Sequence, residues 1–177
     1  DSYSAERTFA ADDNLLNSTR STDFITPKSA MSRRYRNAVL ELAEEVEGIR
    51  PLVNSGRLSR PTPYLASPLN TPDTSDFKGK MAPGTNCDDA PVSVNGKPGW
   101  LLNHLGQGFT VLTFGETAPI REISAGPVTA KVLTVGGDIK DIKGLAAQRY
   151  DGQPGTTYLV RPDQHVAARW RSFDAAA

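Results

Sequence analysis

The chain has 177 residues with 20 Lys+Arg against 20 Asp+Glu, a formal net charge of zero that gives no electrostatic support for a nucleic-acid or anionic-lipid partner. No apolar run approaches the roughly 20 residues a bilayer span needs, and the opening Asp-Ser-Tyr-Ser-Ala-Glu-Arg has neither the basic start nor the apolar core of a signal peptide. A single cysteine, Cys87, excludes an intrachain disulfide and a Cys-x-x-Cys pair, so a reducing, cytoplasmic setting is expected.

Residues 2 to 16 read as a first helix, with Tyr3, Ala10 and Leu15 or Leu16 on one side. Residues 18 to 23, Ser-Thr-Arg-Ser-Thr-Asp, compete for backbone hydrogen bonds and are expected to break it. Thr26-Pro27 then reads as an N-cap followed by proline at the first helical position. Met31, Tyr35, Val39, Leu42 and Val46 recur at helical spacing, opposite Arg33, Arg36, Glu44 and Glu47, and predict a half-buried second helix. Gly48 and Pro51 supply its stop.

From Asn54 to Pro91 helical periodicity disappears. Pro61, Pro63, Pro68, Pro72 and Pro83 alternate with Gly, Ser, Thr and Asn, while Leu58, Tyr64, Leu65, Leu69 and Phe77 are costly to leave in water. A crossing segment lying along a surface is expected in place of a free tether.

The remainder alternates strand and helix signals. Pro91 to Val94 reads as a strand followed by the turn dipeptide Asn95-Gly96, and Gly99 to Leu105 as a short helix carrying Trp100 and Leu101. Phe109 to Phe114 is apolar at nearly every position, the pattern of a strand covered on both faces, and Val128 to Val135 reads as its parallel neighbour. Gly144 to Tyr150 suits one or two helical turns. Thr157 to Arg161 and Val166 to Trp170 flank Pro162-Asp163-Gln164-His165 and predict an antiparallel hairpin nearer an edge. The order predicts an α/β class with a small mixed sheet.

At this point several segments resemble one family. Tyr3-Ser-Ala-Glu6-Arg7 resembles the Tyr-x-x-Glu-Arg that opens the helix after the flavin domain in phenol hydroxylase-like, FAD-dependent aromatic-ring monooxygenases. Gly106-Gln-Gly-Phe-Thr-Val-Leu112 is similar to the family's Gly-x-Gly-Phe-x-Leu-Leu strand. Leu159 to Arg169 is similar to its Leu-Val-Arg-Pro-Asp-Gly-x-Val-Ala-Trp-Arg hairpin, with Ala168 where many relatives carry Trp. Pro83-Gly84 ahead of Asp89-Ala90-Pro91 is like the lead-in to its C-terminal domain.

The resemblance implies the C-terminal part of such an enzyme. Residues 1–50 would end the FAD- and substrate-binding region, 51–83 would cross over, and 84–177 would form a thioredoxin-like domain without redox cysteines. It implies FAD and NAD(P)H as cofactors of the parent enzyme, an aromatic substrate, the N-terminal FAD-binding domain as partner, and dimer contacts. No cofactor is expected on this chain alone. The flavin motifs Gly-x-Gly-x-x-Gly and Gly-Asp-Ala-x-His are absent from the sequence, and Gly136-Gly137-Asp138 reads as a turn. The alternative is a stand-alone thioredoxin-like binding module without catalytic activity.

No catalytic, cofactor-binding or metal residue is assigned from the sequence. Cys87 reads as a loop cysteine whose thiol is held protonated by Asp88 and Asp89. His104, at a helix end, and His165, in the hairpin loop, form no ligand set of recognisable spacing and read as surface or polar-contact residues. No Gly-x-Ser-x-Gly elbow supports a hydrolase. Glu6 and Arg7 read either as contacts to the flavin domain that the resemblance implies or as a solvated helix face. Arg161, Asp163 and Arg169 read either as a local charge network or, more simply, as packing and turn residues, and Trp100 and Trp170 as core anchors.

Overall fold

The computed structural model describes residues 1–53 and 56–172. Asn54, where the irregular stretch is expected to begin, lies outside the described residues. The chain divides into two compact units, Asp1–Thr62 and Pro63–Ala177.

The first unit is helical. Helix α1 (Ser2–Ile25) starts on the Asp1 carboxylate, which accepts from the Tyr3 amide at 3.1 Å, and ends with the Thr26 amide on the Thr22 carbonyl. It runs unbroken through Ser18–Asp23, so the expected break does not occur. The least exposed positions, Ser2, Glu6, Ala10, Asp13, Asn17 and Phe24, follow helical spacing but are mostly polar. Tyr3, Leu15 and Leu16, expected on a packed side, are exposed. What holds this face is a hydrogen-bonded group: Arg57 pairs with Asp13 and donates to the Thr62 hydroxyl at 2.7 Å.

Helix α2 (Ala30–Glu45) is capped by Ser29, whose hydroxyl accepts from the Ser32 amide at 3.0 Å, and not by Thr26. Pro27 therefore precedes the helix instead of opening it. Of the expected stripe Met31, Tyr35, Leu42 and Val46 are exposed and only Val39 is half-buried, so the helix is less covered than its pattern predicts. Beyond Val46 the chain does not stop at Gly48 but continues as a 3-10 turn, Glu47–Ile49, and a single helical turn α3 (Arg50–Val53). Pro51 fits there because the first turn of a helix needs no amide donor from it.

The second unit is built on two sheets. In the smaller, β1 (Pro91–Val94) lies between β2 (Lys97–Trp100) and β6 (Lys140–Asp141), antiparallel to both. Asn95 and Gly96 turn the β1–β2 hairpin at φ 50° and 77°, the positive values a two-residue hairpin loop favours. Because that hairpin extends pairing to Pro91 opposite Trp100, residues 97–100 are a strand and only Leu101–His104 forms a 3-10 turn. The single helix expected over Gly99–Leu105 is thus replaced. Trp100 is 53% exposed and not a core anchor, whereas Leu101 is fully buried.

The larger sheet has the order β4-β5-β3-β7-β8. Strand β3 (Phe109–Phe114) is parallel to β5 (Val128–Val135), with Phe109 opposite Ala130 and Phe114 opposite Val135. Strands β7 (Thr157–Val160) and β8 (Val166–Trp170) add as an antiparallel hairpin on the other side of β3. Strand β4 (Glu122–Ala125), not foreseen, pairs antiparallel with β5 at the free edge. Parallel strands normally need a helical crossover; here residues 115–127 cross with β4 in place of a helix.

One face of this sheet carries Leu112, Phe114, Val135, Tyr158 and Val160 into the main core. Val92, Leu101, Leu105, Ala146 of α4 (Leu145–Arg149) and Tyr150 close that core. Full burial of a side chain such as Leu112 contributes about 1.5–3 kcal/mol. The other face packs Val111, Ala130 and Val132 beneath Ala118 in a smaller cluster.

The hairpin is less open than its position suggests. Residues 166–169 are all buried, because the crossing segment lies along the β8 edge. The Gly84 amide donates to Val166 O at 2.7 Å, Val166 N to Thr85 O at 2.9 Å, and Cys87 N to Gln164 O at 2.8 Å. An edge covered in this way cannot template another strand. Gly84 is required for it: its φ is +88°, and an added Cβ would stand 2.5 Å from the Tyr64 carbonyl oxygen.

Candidate functional site

The β7–β8 turn concentrates charge in the second unit. Arg161 and His165 are buried and face Asp163 from either side of the loop. Arg161 Nη2 donates to Asp163 Oδ2 at 2.8 Å, and His165 Nδ1 lies 3.5 Å from Oδ1. Tyr64 stacks on the His165 ring with centroids 4.8 Å apart. Burial raises the Asp163 pKa, but His165 and Arg161 outweigh it and hold the carboxyl down to about 2. His165 is therefore a buried polar-contact residue and not a surface one.

Beside this turn, Cys87 lies in irregular chain, as expected of a loop cysteine, and is buried in the main core. Burial pushes its thiol up to about 12, with Asp88 and Asp163 adding to the shift and the Tyr150 hydroxyl opposing it. The direction is the one expected from Asp88 and Asp89, but desolvation is its first cause, and Asp163 acts beside Asp88. Tyr150 donates to the Asp88 carbonyl at 2.7 Å, and Tyr158 donates to the Tyr150 carbonyl at 2.5 Å. Such a thiol is inert at neutral pH.

A second arginine group gathers at the far end of β8. Arg169 grips Asp73 at two points, Nε to Oδ1 at 2.9 Å and Nη2 to Oδ2 at 2.6 Å. Phe77 lies between the guanidinium groups of Arg169 and Arg171, 4.2 and 3.9 Å from its ring centroid. Arg171 also pairs with Asp151. Next to Asp73 an open hollow of about 320 Å³ is lined by Leu65, Ser67, Asn70, Pro72 and Pro83.

Other expected residues do not join these groups. His104 ends the 3-10 turn, and its carbonyl accepts from Lys131. Glu6 is buried, which removes the solvated-face reading for it, while Arg7 lies over the exposed Tyr3 ring. Trp170 is half-buried. The Tyr64 stack on His165 and the Asp73 grip on Arg169 were missed by sequence reasoning. Only the cost of exposing Tyr64 and Phe77 pointed toward them. Among the described residues, no group of three His, Cys, Asp or Glu side chains is placed to hold a metal ion, and no helix is long and apolar enough to cross a membrane.

No family model and no curated protein sequence matches the chain. Solved structures do. The flavin-dependent monooxygenase PieE, in complex with FAD and substrate, superposes with a TM-score of 0.59 at 22% identity, over 85% of this chain and 28% of PieE. The rebeccamycin biosynthetic enzyme RebC with reduced flavin gives 0.58 at 21% identity, over 96% of this chain and 32% of RebC. The chain has the fold of part of a flavin-dependent monooxygenase. It spans about a third or less of each of these proteins.

Gly136-Gly137-Asp138, read from the sequence as a turn, forms one, and it is closed by its own chain. A Cβ on Gly136 would stand 2.6 Å from Gly115 O, and one on Gly137 would stand 2.2 Å from the Thr117 hydroxyl. The Asp138 carboxylate is occupied by the Thr134 amide at 3.0 Å and by Arg121. The chain then enters β6 and not a helix, so no helix N-terminus is offered to a pyrophosphate.

Proposed function

We propose that this chain is the C-terminal part of an FAD- and NAD(P)H-dependent monooxygenase that hydroxylates an aromatic substrate. Residues 1–50 complete the flavin- and substrate-binding region, 51–83 cross over, and 84–177 form a thioredoxin-like module that acts structurally and in dimer contacts. The observation that carries the reading is the β3/β5 parallel pair with the β7–β8 hairpin beside β3. That pairing contains most of the family-like segments at 106–112 and 159–169, the segment at 3–7 opens α1, and the fold as a whole is similar to that of flavin-dependent monooxygenases.

In this reading the flavin supplies the oxygen-transfer chemistry when bound, and it is held by the N-terminal FAD-binding domain of the same protein. The part played by the present chain is to support that body. Its charged residues fix backbone: Arg161 and His165 the β7–β8 turn, Arg169 and Arg171 the crossing segment. A cytoplasmic location accords with the single thiol.

The test is the full-length protein with the sequence upstream of Asp1. Purified with FAD, it should consume NADH or NADPH together with dioxygen in the presence of phenolic or polycyclic aromatic compounds and yield a hydroxylated product. An upstream sequence without a dinucleotide-binding fingerprint would overturn the reading in favour of the stand-alone module.

A further inference from the structure

We propose that residues 71–79 form a charge-latched strap over the outer end of β8, which opens as one piece while the sheet beneath stays folded and thereby uncovers Arg169 and Arg171. Of Thr71-Pro-Asp-Thr-Ser-Asp-Phe-Lys-Gly79, every residue is exposed except the half-buried Phe77. The segment therefore has one apolar anchor. Beneath it the β8 residues 166–169 are all buried. Local opening is easiest where buried apolar contact is least, which separates strap from sheet.

The strap is held at three places. At its start the Thr71 amide donates to the Ala167 carbonyl at 2.8 Å, where Ala167 has no partner in the β7–β8 register. In the middle Asp73 meets Arg169 at two points, and Phe77 fills the slot between Arg169 and Arg171. At its end Arg171 donates to the Asp76 carbonyl at 2.7 and 3.1 Å, and the Lys78 amide donates to Asp151 Oδ2 at 2.8 Å. Most of these contacts involve an ionised group. Each pair has one more exposed partner, Asp73 at 29% against 6% for Arg169 and Arg171 at 27% against 15% for Asp151, so dissolved salt reaches both pairs from one side and screens them in part.

Pro72 near one end and Gly79 (φ +108°) at the other stiffen and turn the chain at the boundaries, which lets the intervening residues move together. Beyond the strap, Gly84, Thr85 and Cys87 keep their own bonds to Val166 and Gln164. Release of the strap therefore leaves the remaining cover of β8 in place.

Limited trypsin digestion of the 177-residue chain tests this, since Lys78 and Lys80 lie in or beside the strap and exposed Lys28 serves as internal reference. Raising sodium chloride from about 0.05 to about 0.5 M should speed cleavage at Lys78 and Lys80 roughly five- to tenfold relative to Lys28. Asp73→Asn should produce that faster cleavage already at low salt and respond little to more. Hydrogen exchange on wild type should show the Thr71 and Lys78 amides opening with salt while the Val166 amide holds. A salt-independent cleavage ratio, or strap amides that exchange only in step with Val166, would overturn the proposal, and both readings are available without any variant.

Discussion

Gly152 lies flat against the ring of Phe114: a Cβ added at residue 152 would stand 2.4 Å from Phe114 Cδ1. The ring cannot retreat, because Tyr150 and Tyr158 pack against it at centroid distances of 6.0 and 6.4 Å and all three are buried. Gly152→Ala should therefore destabilise the chain by about 1–3 kcal/mol, the range for overpacked cores. Gly99→Ala, where nothing lies within 4 Å and φ is ordinary, should change stability by less than about 0.5 kcal/mol. Urea denaturation of the two variants beside wild type measures the difference, and equal midpoints would refute the argument.

Cys87 should be unreactive toward a thiol reagent in the folded chain at pH 8 and react fully once the chain is unfolded in urea. Its folded pKa, about 12, stands above the ordinary 9.0 because burial disfavours the thiolate. Unfolding therefore releases a proton once the pH passes 9. The contribution of this group to stability is complete below pH 9 and is lost as pH rises toward 12. Rapid labelling of the native protein at pH 8 would contradict both statements.

Asp163 titrates in the opposite sense. Held at about 2 against an ordinary 3.8, it contributes stability that is present above pH 4 and disappears as pH falls through 2. Asp163→Asn leaves Arg161 and His165 facing an amide in place of a carboxylate. The variant should lose about 1–2 kcal/mol at pH 7, and the gap from wild type should close near pH 2. A difference that persists unchanged at pH 2 would show that the loss comes from turn geometry and not from charge.

The sheet was legible where burial writes itself into composition. Phe109–Phe114 is covered on both faces and accordingly apolar apart from two threonines, and its parallel pairing with Val128–Val135 followed. Strand β4 was not legible, because an exposed edge strand needs only Ile123 on the sheet's packed side. Trp100 was misread because size argued for burial, while Pro98 and Gly99 before it disguised an edge strand. In α1 the polar run Ser18–Asp23 looked like a break. Its residues instead stay on an exposed helix surface, where moderate propensity suffices. The Arg161–Asp163 pair was within reach of the sequence, as two residues of one hairpin turn, but Arg169 joins Asp73 and not that pair, because only the path of the crossing segment brings those two together.

The isolated chain is expected to retain no FAD. Gly136 and Gly137, the one glycine pair resembling a nucleotide loop, are packed against Gly115 and Thr117 with no room for phosphate. Chain mixed with FAD and passed through a desalting column should emerge colourless, with flavin fluorescence unchanged. Yellow protein at one flavin per chain would mean that a site exists which the glycine geometry does not reveal.

The exposed stripe of α2 sets a final expectation about solution behaviour. Met31, Tyr35 and Leu42 of the helix are 73, 67 and 45% exposed, and Val46, 45% exposed, follows at its C-terminal cap. Tyr3, Phe9, Leu15 and Leu16 on α1 are at least half exposed as well. Large contiguous apolar surface on a soluble chain tends to be covered by another surface. With equal numbers of acidic and basic residues, net charge offers little repulsion to oppose that. The isolated chain should therefore self-associate with rising concentration, and sedimentation equilibrium should detect it in the micromolar range. Replacing Tyr35 and Leu42 together by Glu puts two charges on the stripe without touching a buried residue. That variant should keep the wild-type melting temperature and weaken association by about tenfold or more, equivalent to ~1.4 kcal/mol. A variant that associates as strongly as wild type would place the sticky surface elsewhere, and a variant with a lowered melting temperature would show that the stripe already has a partner within the chain.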